Sequence, residues 1–378
     1  MEATGMFEKR YEWSPRVFVN TILFVFLIPS ATFARAGEEI VLPMLVSGRH
    51  EFAAGNYKEA EIQLRMSVAE AGSGGVSDNE LVLSLADLSN VLLVEGKADE
   101  SEAFLDRAIA IVRSRPTVDR RQLPVLLGLL GTLYQQTGRM EQTEAVLSEA
   151  MRLGRRLLVD EPLHLSDIHN DLGVLHLKAG KRKQAEGDFK TALSLVEKAG
   201  QDSEARKSSI LANLSALYFG QEKWNLAEQT LLRAVEIVER TQGSEHPNIC
   251  ALLDNLGFLY FKQNDLARAE SVLRRELAIR RTVFGQENAS TASAGATLAS
   301  VLAARGQYIE AGNLFAEVLT TQERVLGRVP EVATTLDQFA DLLRRTHRDD
   351  LAEELSSRAQ SIRFESAYTV SIKAQRGP

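Results

Sequence analysis

The sequence predicts an all-α protein, a solenoid of about eight helix-turn-helix repeats. A small residue recurs at intervals of 41 or 42 positions, and a turn residue follows each of them seven positions later. Self-similarity at a period of this size is typical of stacked supersecondary units and not of a single globular core. The small residues are Gly48, Ser89, Gly131, Gly173, Ser215, Gly257, Ala299 and Ala340. Such an array favours a binding surface over an enzyme.

Each repeat is predicted to contain a helix, a short turn and an antiparallel helix. In the sixth repeat, apolar residues recur at helical intervals between positions 252 and 260, and a second helical run covers 267–277. Asn264 and Asp265 break the pattern between the two runs. The small residues mark the points where the two helices approach closely, because a larger side chain would hold the backbones apart.

Two segments of the sixth repeat carry a resemblance to a known family. They are Gly243-Ser244-Glu245-His246-Pro247 before the first helix and Asp254-Asn255-Leu256-Gly257-Phe258-Leu259-Tyr260 within it. With the 42-residue period, they resemble the long tetratricopeptide repeat (TPR) of kinesin light chains, over roughly residues 42–364. The resemblance implies a right-handed superhelical solenoid whose concave wall is lined by the first helix of each repeat. It does not imply motor-cargo function, because the chain opens with an export signal.

The N-terminal residues have the pattern of that export signal. Lys9, Arg10 and Arg16 precede an apolar run at positions 17–28, and Ala34-Arg35-Ala36 matches a cleavage site. A run of this length suits a signal peptide and is short for a membrane span. The segment is either cleaved or retained as a membrane anchor, and the sequence leaves both alternatives open. Both predict a periplasmic or extracellular location for the repeats. The protein would contact the membrane only through an uncleaved segment. The predicted domains are a signal peptide or anchor (1–36), the solenoid of eight repeats (37–364) and a C-terminal tail (365–378).

The net charge argues against nucleic acid as a partner. The chain has 44 basic and 51 acidic residues, a formal net charge of −7. An acidic protein lacks the positive surface that binding to a phosphate backbone normally needs. Two basic clusters, Lys181-Arg182-Lys183 and the group Arg274, Arg275, Arg280 and Arg281, are interpreted as solvated helix faces. Contact with an anionic partner is the alternative.

The sequence contains no catalytic or cofactor-binding motif. Cys250 is the only cysteine, which excludes an intramolecular disulfide and a cysteine metal cluster and suggests a partly buried thiol. There is no P-loop, dinucleotide fingerprint or nucleophile elbow. His164, His169 and His176 cluster in the fourth repeat, and His169 and His176 are interpreted as packing in the seam between its two helices. A metal site, or protonation that loosens this repeat in acid, is the alternative. We expect a non-enzymatic protein with no cofactor and no metal.

The position two residues before each small residue, here called the ladder position, carries the predicted binding site. The resemblance implies an asparagine there that bonds the main chain of an extended peptide, since an amide offers both a donor and an acceptor. In this chain the ladder would be Asp171, Asn213 and Asn255. The flanking groove candidates are Asp254, Lys178, Lys262, Phe219, Phe258 and Phe261. The alternative is that these side chains bond neighbouring helices within the array.

These observations predict a scaffold that binds an extended peptide or helix of a partner protein in its concave groove, at the cell envelope. A regulator whose superhelix changes shape on binding a peptide or small ligand is the alternative. The two differ in the size of the partner and in the flexibility of the free array.

Overall fold

The computed structural model describes residues 43–72, 77–200 and 203–375, with side chains up to residue 366. Within these ranges the chain forms sixteen α-helices and no strand, so the predicted fold class is confirmed. None of the described helices is long and apolar enough to cross a bilayer. The signal peptide or anchor predicted for residues 1–36 lies outside the described residues.

The helices follow one another as eight pairs in two compact units, the N-terminal unit ending at Asn248 and the C-terminal unit beginning at Ile249. The N-terminal unit contains α1 (Pro43–Ala53), α2 (Tyr57–Gly72), α3 (Asp78–Val94), α4 (Ala98–Ser114), α5 (Gln122–Gln136), α6 (Met140–Leu157), α7 (Pro162–Lys178), α8 (Arg182–Ala199), α9 (Glu204–Gly220) and α10 (Trp224–Gln242). The C-terminal unit contains α11 (Cys250–Lys262), α12 (Leu266–Phe284), α13 (Ala289–Ala304), α14 (Tyr308–Val325), α15 (Pro330–Arg345) and α16 (Asp349–Gln375). Odd-numbered helices are the first helices of their repeats.

Small residues bring the two helices of a pair together, as the sequence predicts. A Cβ atom added to Gly131 would lie 2.4 Å from Cδ2 of Leu147, and one added to Gly173 would lie 2.5 Å from Cε1 of Phe189. Leu147 and Phe189 are fully buried, so neither side chain can move aside easily. The small residues therefore set the distance between the helices.

The turn between the helices of a pair needs a residue with left-handed backbone geometry. Gly96 and Gly138 have φ values of +80° and +75°, which glycine adopts without steric penalty. Glu222, Asn264 and His347 hold the same position at φ values between 57° and 60°, where a side chain costs about 1–2 kcal/mol. The predicted turn position is thus the same in repeats with and without glycine.

The basic cluster on α12 is largely neutralised within the C-terminal unit. Arg274 Nη1 lies 2.6 Å from Glu310 Oε1, and Arg281 Nη2 lies 2.7 Å from Glu317 Oε1. Each pair spans 36 residues, so the pairs align the second helix of one repeat with that of the next. Exposed pairs of this kind contribute about 0–1 kcal/mol each. The other cluster, residues 181–183, is exposed at the start of α8.

The last helix extends beyond the predicted end of the solenoid. The sequence places a tail from residue 365, whereas α16 continues to Gln375. Among the α16 side chains that the structure describes, the last buried apolar ones are Ala359 and Ile362, and Phe364 is 75% exposed. No glycine or proline lies between Asp349 and Gly377, so the sequence contains no residue that would end the helix earlier.

Candidate functional site

The ladder position of the fourth repeat lies between neighbouring first helices. Thr132 Oγ1 on α5 donates to Asp171 Oδ2 on α7 over 3.0 Å. Gln135 Nε2, also on α5, donates to the main-chain oxygen of Asp171 over 2.7 Å. The Asp171 side chain is only 8% exposed, so it connects two helices and offers little surface.

Burial dominates the electrostatics of Asp171. It raises the pKa of this carboxyl to about 8, and the hydrogen bond from Thr132 offsets only part of the rise. The carboxyl is therefore mostly protonated at neutral pH. In that form it offers one donor and an acceptor, as an asparagine amide would.

Asn213 and Lys178 also bond neighbouring first helices. Asn213 Nδ2 on α9 donates to Asn170 Oδ1 on α7 over 2.8 Å, and the Asn213 side chain is 4% exposed. Lys178 Nζ donates to the main-chain oxygen of Gln135 over 3.1 Å. Both side chains therefore bond neighbouring helices within the array, which is the alternative that the sequence left open for the groove candidates. Their role in binding a peptide stays a prediction.

In the C-terminal unit, Asn255 on α11 has spare hydrogen-bonding capacity. It is 3% exposed, and no group among the described residues donates to its Oδ1. A buried acceptor without a partner costs about 1–3 kcal/mol. Leu129 occupies the equivalent position of the third repeat, so the fold does not require an amide there.

The groove candidate Asp254 belongs to a charged cluster between α11 and α12. Arg280 Nε donates to Glu276 Oε1 over 2.6 Å. Burial raises the pKa of Asp254, and burial together with the charge of Asp254 raises the pKa of Glu276, while Arg280 opposes both shifts. Two carboxyls thus lie in the field of one guanidinium, of which only Glu276 is hydrogen-bonded to it, and this favours holding a proton on the cluster.

The three groove phenylalanines differ in exposure. Phe258 is 5% exposed, and Lys262 Nζ lies 5.7 Å from the centroid of its ring. Phe219 packs edge-on against Trp224 with the ring centroids 5.0 Å apart, and its ring is half-buried. Phe261 is also half-buried. Phe219 and Phe261 therefore keep ring surface that a ligand can contact, whereas Phe258 does not.

Two amides that the sequence reasoning missed share the property of Asn255. Asn90 Nδ2 on α3 and Gln135 Oε1 on α5 have no partner among the described residues, and their side chains are 1% and 2% exposed. They lie one and four residues after the small residue of their repeats, on the first helix that also carries the ladder position. The signal in the sequence that could have identified them is an amide side chain inside an apolar helix. We call Asn90 Nδ2, Gln135 Oε1 and Asn255 Oδ1 the unpaired amide atoms.

His169 and His176 share one carboxylate across the seam between α7 and α8. Their Nδ1 atoms lie 3.0 Å and 2.7 Å from the two carboxylate oxygens of Asp188. Burial acts to raise the pKa of Asp188, but the two hydrogen bonds outweigh it and lower the pKa. The predicted seam role of both histidines is confirmed. Within the described ranges, no group of three or more His, Cys, Asp or Glu side chains is arranged to hold a metal ion.

Cys250 begins α11 and is 2% exposed, so its thiol is more fully buried than the sequence suggested. Burial raises the pKa of this thiol to about 12. The reactive thiolate form is therefore almost absent at neutral pH.

Comparison with known proteins identifies related sequences and folds. The sequence profile of the family described as tetratricopeptide repeat matches residues 122–198, 207–282 and 289–363, together more than half of the chain. No curated protein matches at a significant level.

Three solved structures are similar to this chain. The apo quorum sensor NprR from B. thuringiensis is 12% identical, with a TM-score of 0.56 over 84% of this chain and 86% of that one. A Rap protein complexed with competence and sporulation factor is 14% identical, with a TM-score of 0.53 over 88% and 99%. A kinesin light chain with TPR-like repeats from Podospora anserina is 23% identical, with a TM-score of 0.47 over 55% and 99%. At these identities the likeness concerns the fold alone.

Proposed function

Because this chain belongs to the tetratricopeptide repeat family, we propose that it is a non-catalytic scaffold for protein–protein interaction. It binds an extended peptide or a helix of a partner protein along the ladder face of its first helices. It acts at the cell envelope, to which its N-terminal segment directs it.

The unpaired amide atoms carry this proposal. The N-terminal unit holds a donor at Asn90 and an acceptor at Gln135, and the C-terminal unit holds an acceptor at Asn255. A peptide main chain supplies one donor and one acceptor per non-proline residue, whatever its sequence. Pairing with it would remove a penalty of about 1–3 kcal/mol for each buried atom that has no partner.

Access to these atoms requires the first helices to move, since none of the three side chains is more than 3% exposed. A repeat array permits such movement, because each repeat packs mainly on its neighbours and small rotations add along the stack. The half-buried rings of Phe219 and Phe261 lie four residues after the small residues of their repeats and can contact apolar side chains of a ligand.

Replacing Asn255 with leucine is expected to weaken peptide binding without loss of stability. Leucine has a similar volume, already occupies position 129, and removes the unpaired oxygen. The free energy of unfolding should rise by about 1 kcal/mol, and the affinity for peptides selected from a displayed random library should fall about tenfold. Urea unfolding and peptide titration measure the two effects on one preparation.

Asn213→Leu is the matched control for that experiment. It changes the same ladder position but breaks the bond to Asn170, so it should lower the free energy of unfolding by about 1–3 kcal/mol. Equal peptide affinities of the parent chain and Asn255→Leu would contradict the site. Failure to enrich any peptide on the parent chain would contradict peptide binding while leaving the family assignment intact.

Export is expected to depend on the apolar run at positions 17–28. A full-length chain with a C-terminal tag, expressed in a bacterial host, should reach the periplasm with Gly37 as its first residue. Phe24→Arg places a charge in the run and should keep the chain in the cytoplasm. Fractionation and N-terminal sequencing measure both outcomes. An intact chain in the membrane fraction would support the anchor, and a cytoplasmic parent chain would overturn the location.

A further inference from the structure

In the N-terminal unit, the loop after α10 returns to the turn between α1 and α2. His246 Nε2 lies 2.8 Å from the main-chain oxygen of Ala53, and Tyr57 Oη lies 3.4 Å from Asn248 Oδ1. These pairs are 193 and 191 residues apart, whereas the helix pairs between them contact one another in chain order. Five helix pairs are therefore closed into one circuit of contacts. We call residues 243–248 together with the turn at residues 53–57 the latch.

The turn between α1 and α2 is shaped to receive Pro247. A Cβ atom added to Gly55 would lie 2.6 Å from Cγ of Pro247, whereas one added to Gly96 or Gly138 would have no neighbour within 4 Å among the described residues. The three glycines have similar φ values, +82°, +80° and +75°, so the backbone requirement is the same at all three. Gly55 is additionally required by a contact across the latch.

Hydrogen bonding defines the protonation state of His246. The carbonyl oxygen of Ala53 can only accept, so Nε2 of His246 must carry a proton. The main-chain N–H of Asn248 donates to Nδ1 over 3.2 Å, so Nδ1 must be unprotonated. The closed latch therefore needs a neutral imidazole.

We propose that the latch is a pH-sensitive gate that holds the N-terminal unit closed while His246 is neutral and opens when this side chain is protonated. A proton on Nδ1 would point at the N–H of Asn248 and replace a hydrogen bond with repulsion. An open unit gives a ligand access to the faces that carry Asn90 and Gln135, a consequence that rests on the proposed function.

The surroundings of the imidazole do not favour its charged form. A cleft of about 610 Å³ beside the latch is lined by His50 from α1 and Glu204 from α9, and Tyr57 lies on the α2 side. Glu204 already pairs with Arg240 on α10, so its charge is not available to an imidazolium at His246.

The pH dependence follows from the same contacts. Burial lowers the pKa of His246, and the hydrogen bond to Ala53 offsets only part of this effect. Since the folded form binds its proton less readily than the unfolded chain, the contribution of the latch is fully present above about pH 6.5 and is lost as the pH falls.

The distance between two spin labels on the full chain tests the gate. Labels at Lys58→Cys and Glu245→Cys, in a Cys250→Ala background, occupy exposed positions on the two sides of the latch. Their distance should be short and narrowly distributed at pH 7.5 and should shift to longer values at pH 5. A control pair at Asp99→Cys and Glu141→Cys, on consecutive helix pairs, should keep one distance at both pH values.

Two further variants decide whether His246 and its contact are responsible. His246→Gln keeps a side-chain N–H for Ala53 and cannot titrate, so the labels should stay close at pH 5. Gly55→Ala should separate the labels already at pH 7.5, whereas Gly96→Ala, with the same backbone requirement, should not. An unchanged distance in the parent chain at pH 5, or opening of His246→Gln at that pH, would overturn the proposal.

Peptide binding is measured separately, so the gate and the proposed function can fail independently. If the labels separate in acid and no selected peptide binds at either pH, the gate stands and the proposed function falls. If peptides bind equally at both pH values and the labels do not move, the scaffold stands and the gate is overturned.

Discussion

Replacing Asp171 with asparagine is expected to stabilise the chain by about 4 kcal/mol at pH 7 and by little at pH 4. Burial raises the pKa of Asp171 from its usual 3.8 to about 8 in the folded chain. Between these two values the folded state binds more protons than the unfolded state, so the contribution to stability is present below pH 3.8 and is lost as the pH rises. Asparagine has the same shape, keeps an oxygen for Thr132 and cannot titrate.

Urea unfolding of the parent chain and Asp171→Asn between pH 4 and pH 8 measures this effect, and the difference should grow with pH. Asp87→Asn is the matched control, because Asp87 holds the ladder position of the second repeat but is bonded to Arg49 Nε. Breaking this buried ion pair should lower the free energy of unfolding. Loss of stability in Asp171→Asn at pH 7 would mean that Asp171 is not protonated in the folded chain.

Replacing His164 with glutamine should raise the free energy of unfolding by about 3 kcal/mol at pH 4 and change it little at pH 7. Burial lowers the pKa of His164 to about 4; Asp167 opposes the shift, and Arg206 and Arg121 add to it. The usual pKa of histidine is near 6.5, so the contribution of neutral His164 to the free energy of unfolding is fully present above that pH. It is lost as the pH falls toward 4. The imidazole is 4% exposed, which explains the dominance of burial.

Glutamine suits the site, because Gln122 occupies the equivalent buried position in the third repeat. Unfolding of the parent chain and His164→Gln in urea at pH 7 and pH 4 measures the effect. His347→Gln makes the same chemical change at an exposed turn residue and is the matched control. Parallel pH profiles of the parent chain and His164→Gln would refute a neutral buried imidazole.

The sequence placed His169 and His176 in the seam of the fourth repeat and assigned no position to His164. His169 and His176 bond Asp188 on the second helix of their own pair. His164 instead lies in a buried charged region, where Asp167 bonds Arg206 of the next repeat. We therefore expect His164, whose environment is set by side chains of other repeats, to cause the acid sensitivity that the sequence suggests for the fourth repeat.

At the ladder position, too, the sequence does not show which side chains are paired. Asn213 and Asn255 occupy equivalent positions in the sequence, yet Asn213 bonds Asn170 and Asn255 Oδ1 has no partner among the described residues. A position-by-position comparison cannot separate them, because the partner stands about 40 residues away. Whether it is within hydrogen-bonding distance depends on how far one repeat is rotated against the next.

The sequence alone was sufficient for the 42-residue period, the helix pairs, the small residues at their closest approach and the TPR family, all of which depend on contacts within one repeat. A short turn forces the two helices of a pair together, so local pattern and local geometry agree. The tertiary structure decided which polar groups are paired, which carboxyl is protonated, and that His246 reaches Ala53. Those outcomes depend on rotations accumulated over several repeats and on the burial that results, and neither quantity is encoded at any single position.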